Sequence, residues 1–264
     1  MRRRLVAEVG PVTRALLAIA AGDPDDERGL ARQICLACVA GLDVDGASLS
    51  LLTTTASRQT LWASDPVAEL LEDLQFSLNE GACIQAASSG VPVLVPDLAE
   101  GVEVARWPVF AAALAERTEI RAVFALPLQW GATNLGVLDL YRRLPGELSR
   151  SQWRDALATA EIATLLMLGL HTDPRRNQVE TLGNDHTDGQ LHDGGAGASG
   201  WLDSLSGGRA EVHQATGMVL VQLGVTSTEA LARLRAHAFA HQRLLIDVAR
   251  DVVDRTLVFT KDDK

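Results

Sequence analysis

The chain has 264 residues with 24 Lys and Arg against 34 Asp and Glu, a formal charge of -10, and 47% of its residues are apolar. That balance fits a globular protein of roughly two domains and argues against broad nonspecific nucleic-acid binding by the whole chain. Three cysteines, Cys35, Cys38 and Cys83, give no disulfide framework, and no run reaches the ~18–20 apolar residues of a membrane span.

The N-terminal segment MRRRLVAEVGPVTRALLAIAAG begins like a signal peptide. Glu8, Pro11 and Arg14 interrupt its apolar run, so the sequence predicts a cytoplasmic protein with a short amphipathic helix over 5–20. Asp23-Pro24-Asp25-Asp26 read as a turn and helix start, opening a second helix to about Ala40. Cys35 and Cys38 form a C-x-x-C inside that helix, with Ile34, Cys38 and Leu42 on one face and no second Cys or His pair nearby. They read as buried thiols that pack as small hydrophobes. Ala47–Thr55 is β-rich, with 59–63 as its hairpin partner, and Pro66–Phe76 is helical. A short apolar strand, 91–95, and a helix, 108–117, follow. Ile120–Leu128 and Leu135–Tyr141 form the clearest hairpin, turning at Gly131, and Ser149 opens a long helix to His171. Its apolar positions Ala158, Ile162, Leu165 and Leu166, widened by Leu157 and Leu168, predict a homodimer in which this helix and the one before Val44 pair across a two-fold axis.

The order predicts an α+β layer structure, helices flanking an antiparallel sheet. Two segments, NEGACIQAASSGVPVLVPDL at 79–98 and ALPLQWGATNLGVLDLYR at 125–142, make residues 25–170 similar to GAF domains. The resemblance implies a sensor or dimerisation domain, over 1–171, that binds an unidentified small molecule. The family's cyclic-nucleotide signature is missing. All six His lie at or beyond residue 171, and no G-x-S-x-G, Walker A or H-E-x-x-H motif occurs. No catalytic set assembles, so the sequence predicts neither enzyme activity nor a cofactor or metal. Cys83, after a Gly-Ala turn, reads either as a packing residue at a helix start or as a ligand-facing or redox-sensing thiol.

Residues 172–208 are rich in Gly, Asp, His, Ser and Asn and read as a mobile linker. His186 and His192, with Asp185, Asp188 and Asp193, are spaced too loosely to define a metal site, and Trp201-Leu202 read as the point where the disorder ends. The segment 209–264 is electrically distinct: eight Lys and Arg against seven Asp and Glu, whereas the rest carries 16 against 27. Three helices are predicted in it. The first ends at Gly224, the second opens with Thr226 and Glu229 spaced as a capping box, and the third runs from about Leu244 to Leu257. Ala230, Leu234 and Ala238 form the inward stripe of the second; Leu245, Val248, Ala249 and Val252 face inward on the third, with alternating charges outward.

With Ala215 and Gly217 in QATGM, Ala230, Leu234-Arg235, Ala238, Leu245 and Val248-Ala249, this segment closely resembles the ANTAR module, an RNA-binding domain of bacterial transcription antiterminators. The resemblance implies an all-α three-helix domain that binds RNA stem-loops overlapping a terminator, with Ala215, Gly217, Ala230, Leu234, Ala238 and Ala249 in its core. Arg235 and Phe239 lie four apart, away from the inward stripe, an arrangement suited to phosphate contact and base stacking. With Arg209, His213 and Arg243 they make the candidate RNA-facing patch. Thr216 stands where family members often carry a basic residue. A protein-interaction or dimerisation module without RNA binding is the main alternative, and a cysteine-based redox sensor the other.

Overall fold

A computed structural model describes residues 9–22, 26–52, 58–172 and 210–260. The expected linker beyond Thr172, with its His and Asp residues and Trp201-Leu202, lies outside the described residues, as does Arg209.

The chain opens with α1 (Pro11–Ala21) and α2 (Glu27–Gly41). The helix expected from residue 5 starts at Pro11 among the described residues; Pro suits the first turn, where its missing N–H costs nothing. Asp155 supplies the acceptors that this start lacks. Its carboxylate takes hydrogen bonds from the backbone N–H of Val12 (3.0 Å) and Thr13 (2.9 Å) and from the Thr13 hydroxyl (2.6 Å). Next come β1 (Gly46–Leu52), β2 (Arg58–Ala63), α3 (Pro66–Leu78), α4 (Ala82–Ser89), β3 (Val93–Val95), α5 (Gly101–Arg106) and α6 (Pro108–Arg117). Of these, α5 was not a separate element in the sequence pattern, and of α4 only its start near Cys83 was. The hairpin is β4 (Ala122–Trp130) and β5 (Thr133–Arg142), tighter than expected: Trp130 pairs with Thr133, and Gly131 turns the chain at φ 60°. The long helix α7 spans Arg150–Thr172.

The five strands form one antiparallel sheet in the order β2-β1-β5-β4-β3. Helices cover both faces. Phe124, Leu126 and Leu138 pack with α1, α2 and α7, and Val123, Ala125, Val137 and Tyr141 pack with α3, α4 and α6. Double coverage explains why β4 reads as one apolar run. Along α7 the fully covered positions are Ala156, Ala160, Ala163 and Met167. The stripe expected to dimerise lies on the adjacent flank: Ala158, Ile162 and Leu166 are half-buried and Leu165 is exposed.

The C-terminal unit is α8 (Ala210–Leu223), α9 (Ser227–Ala240) and α10 (Leu245–Val253). Gly224 ends α8 at φ 70°, and the Thr226 hydroxyl accepts from the Glu229 N–H. The third helix ends four residues earlier than predicted. Arg255 takes φ 61°, and the N–H groups of Thr256 and Leu257 both return to the Asp251 carbonyl, closing the helix so that Phe259 folds back into the core. Ala215, Ala230, Leu234, Ala238 and Ala249 are buried there, as expected. Gly217 is not a core residue: two positions on from Ala215 it faces outward, with nothing within 4 Å of where a Cβ would stand.

Candidate nucleic-acid interface and sensor core

Helix α9 carries the two side chains singled out for RNA contact on one flank. Phe239 is 60% exposed. One turn earlier, Arg235 is half-buried, its guanidinium 5.2 Å from the centre of the Phe76 ring on α3. Phe76 itself is 4% exposed and groups with Val212, Leu234 and Leu245 of the C-terminal unit rather than with the sheet. The arginine read as open to RNA is thus engaged by the N-terminal unit. Composition gave no sign of this, because Phe76 completes an ordinary amphipathic helix.

The remaining candidates are dispersed. His213 is exposed on α8. Arg243, just before α10, donates to Asp251 at 2.6 Å, a hydrogen bond that raises its pKa and holds its charge. On the other flank of α9, Arg233 reaches Glu229 at 3.9 Å, and His237 stacks on His241 with ring centres 4.1 Å apart. Thr216 donates to the Val212 carbonyl at 2.6 Å, so its hydroxyl is committed to its own helix. A cleft of about 460 Å³ separates the two units, lined by Arg28, Thr60, Glu69 and Asp73 on one side and by Val212, Ile246 and Arg250 on the other.

Within the sheet domain, the face under α3 holds a group of buried polar side chains. Glu72, one turn before Phe76, accepts from the Ser48 hydroxyl at 2.8 Å and from the Thr60 hydroxyl at 3.3 Å. Gln75 donates to Asp139 of β5 at 2.8 Å and accepts from the Cys83 N–H at 2.7 Å. Gly81 makes that last contact feasible: at φ 115°, a Cβ there would meet the Gln75 amide oxygen at 2.7 Å. Cys83 is fully buried at the start of α4. Cys83 stands out in the sequence, whereas Glu72, Gln75 and Asp139 do not. A signal was present: Ala68, Leu71, Glu72 and Gln75 share one helical face, and Asp139 interrupts the apolar run VLDLY. Cys35 and Cys38 lie in the core on the opposite sheet face, and burial pushes both thiols well above their usual pKa. This is the inert setting expected of packing cysteines.

The GAF domain family model matches residues 26–170, more than half of the chain, and the ANTAR domain model matches 207–253. The chain belongs to the GAF domain family and carries an ANTAR domain at its C-terminal end. No curated protein matches it. Similar solved structures include the GAF domain of an Acinetobacter phosphoenolpyruvate-protein phosphotransferase, at 13% identity and TM-score 0.48, covering 61% of this chain and 92% of that one. Another is the GAF domain of the Coxiella burnetii phosphoenolpyruvate-protein phosphotransferase, at 12% identity and TM-score 0.44, covering 65% and 95%. A third is the free methionine-R-sulfoxide reductase of Neisseria meningitidis, at 16% identity and TM-score 0.43, covering 61% and 88%. Among the described residues no helix is long and apolar enough to cross a membrane.

Proposed function

We propose that the chain is a non-catalytic, cytoplasmic, homodimeric regulator of transcription antitermination. Its GAF domain receives a signal, a small molecule among the candidates, and its ANTAR domain binds hairpin RNA. The observation that carries this reading is the exposed Phe239 one turn from Arg235 on the ANTAR helix α9. An aromatic face beside a cation suits an unpaired base and its phosphate. The Arg235–Phe76 contact supplies a route for control. While α3 holds Arg235, this side chain is withheld from phosphate, and a signal that parts the two domains releases it. The interaction-module alternative draws support from the ion pairs that occupy Arg243 and Arg250.

The test uses RNA hairpins recovered by crosslinking to the full-length protein, with affinity measured at several salt concentrations. Arg235→Gln is expected to weaken binding and flatten the log–log salt slope by roughly 0.7–0.9, one counterion. Phe239→Ala is expected to weaken binding by about 1–3 kcal/mol with little change of slope, since stacking releases few ions. Folded variants that match wild type in both respects place the interface elsewhere, and recovery of no RNA favours the interaction module.

A further inference from the structure

We propose that Glu72, Cys83 and Asp139 form a binding site for one borderline divalent cation, of the zinc(II) or iron(II) class, inside the GAF domain. A donor atom of each lies within 4.8 Å of the other two. With metal–oxygen distances of ~2.0–2.2 Å and a metal–sulfur distance of ~2.3 Å, donors of a tetrahedral shell stand about 3.4–3.6 Å apart, so these three need to close by about 1 Å or less around a single ion. The donors come from three separate elements, α3 and α4, which pack on one sheet face, and β5 within that sheet, and each residue is at most 1% exposed. Their spacing is therefore set by the packed core and not by a mobile loop. Two oxygens and one sulfur suit a borderline cation; magnesium and calcium favour shells made wholly of oxygen.

Electrostatics points the same way. Two carboxylates enclosed together repel, and burial penalises each charge further. A divalent cation offsets both effects, and the Cys83 thiol gives up its proton to solvent as the sulfur binds. The surrounding polar groups orient the donors as outer partners of a metal site do: Ser48 and Thr60 hold the two Glu72 oxygens, and Gln75 bridges Asp139 to the Cys83 backbone.

Ser50 is an independent indication. It is fully buried, and its hydroxyl has no hydrogen-bond partner. Strand alternation puts it on the same face of β1 as Ser48, which pairs with Asp139 in the neighbouring strand. A water on the cation, completing its shell, would satisfy this hydroxyl. Thr60 both lines the cleft between the domains and touches Glu72, so one side chain separates the site from that cleft. The site stands whether or not the protein binds RNA.

The test titrates the full-length, chelator-stripped, reduced protein with cobalt(II), then with zinc(II). One equivalent of cobalt is expected to give a thiolate-to-cobalt charge-transfer band that zinc abolishes and magnesium leaves alone. Cys83→Ser is expected to remove the band, whereas Cys35→Ser and Cys38→Ser, on the opposite sheet face, retain it. Ser48→Ala is expected to weaken binding about 10–100-fold through loss of an outer partner. X-ray absorption on the zinc-loaded wild type is expected to show one sulfur, with oxygen making up the rest of the shell. Absence of the cobalt band in wild type overturns the proposal. A band that survives in Cys83→Ser, or a zinc shell with no sulfur or with two, overturns it equally. The wild-type spectra decide the matter even if the Cys83 variant fails to fold.

Discussion

Replacing Phe76 with Ala separates the two roles assigned to Arg235. The ring is 4% exposed and closes the seam between the domains, with the Arg235 guanidinium 5.2 Å from its centre. Burying a Phe side chain is worth about 1.5–3 kcal/mol. A cation over its face adds about 0.5–2 kcal/mol. Part of the seam survives truncation, so closure is expected to weaken by about 2–3 kcal/mol, equivalent to a factor of roughly 30–150. If RNA binds the parted form, apparent affinity rises by at most that factor, saturating once the parted form dominates. Fluorescence anisotropy with the crosslinked hairpin at fixed salt measures the change, and circular dichroism checks the fold. Adding Arg235→Gln in the Phe76→Ala background should then lower affinity, because the contact with the Phe76 ring is already gone and the RNA contact is lost with the charge. A folded Phe76→Ala protein that binds RNA no better than wild type refutes the masking argument, whatever Arg235 does by itself.

Other expectations follow from the GAF domain. Asp155→Ala strands the Val12 and Thr13 donors at the start of α1 and should cost about 3 kcal/mol in urea unfolding, since hydrogen bonds to a charged acceptor are worth about 1.5–3 kcal/mol each and add incompletely; a loss under about 1 kcal/mol would mean that α1 is held by packing alone. Tyr141 is the single tyrosine, and its pKa is pushed up to about 12, by burial first and then by its hydrogen bond to Asp65. The folded state therefore holds the phenolic proton more tightly than the unfolded state, whose pKa is about 10, so this contribution to stability is full below pH ~10 and is lost as pH rises through the folded value. Absorbance at 295 nm should titrate accordingly, and a native midpoint near 10 would place the hydroxyl in solvent. Light scattering at micromolar concentration should report twice the chain mass, and Leu165→Glu, on the uncovered flank of α7, should return it to the monomer value; a dimer unaffected by that change uses another surface.

Legibility in the sequence followed the locality of the physics. Asp65 before Pro66 and Thr226 before Glu229 act within one helical turn, so α3 and α9 begin where local chemistry says they must. The stripe Ala230–Leu234–Ala238 has helical spacing and is buried as that spacing requires. The end of α10 was misplaced because Val252, Val253 and Leu257 continue an apolar pattern through the bend. What stops the helix is the left-handed Arg255 and the Asp251 carbonyl, neither of which has a strong residue signature. Gly217 was misassigned for a related reason: a motif position implies importance but does not say which way a residue faces on its helix.

The polar centre was hidden by distance along the chain. Glu72, Cys83 and Asp139 come from a helix, the start of another helix and a strand, and no short motif spans them. Each has an ordinary local explanation: Glu72 as a solvated helix face, Cys83 as a packing thiol, Asp139 as a polar alternation in a strand. The sheet register removes the last of these. Asp139 sits between Ser48 and Ala125 on a central strand, on the face covered by α3 and α4, where water cannot solvate it. With Glu72 buried beside it, a cation held between the two groups would balance their charge. Ser48, Thr60 and Gln75 all donate to these carboxyl groups and so fix where their oxygens point. A core built only for stability is often as well filled with apolar residues of the same volume, and that is the physical reason to test this polar centre for a bound ion.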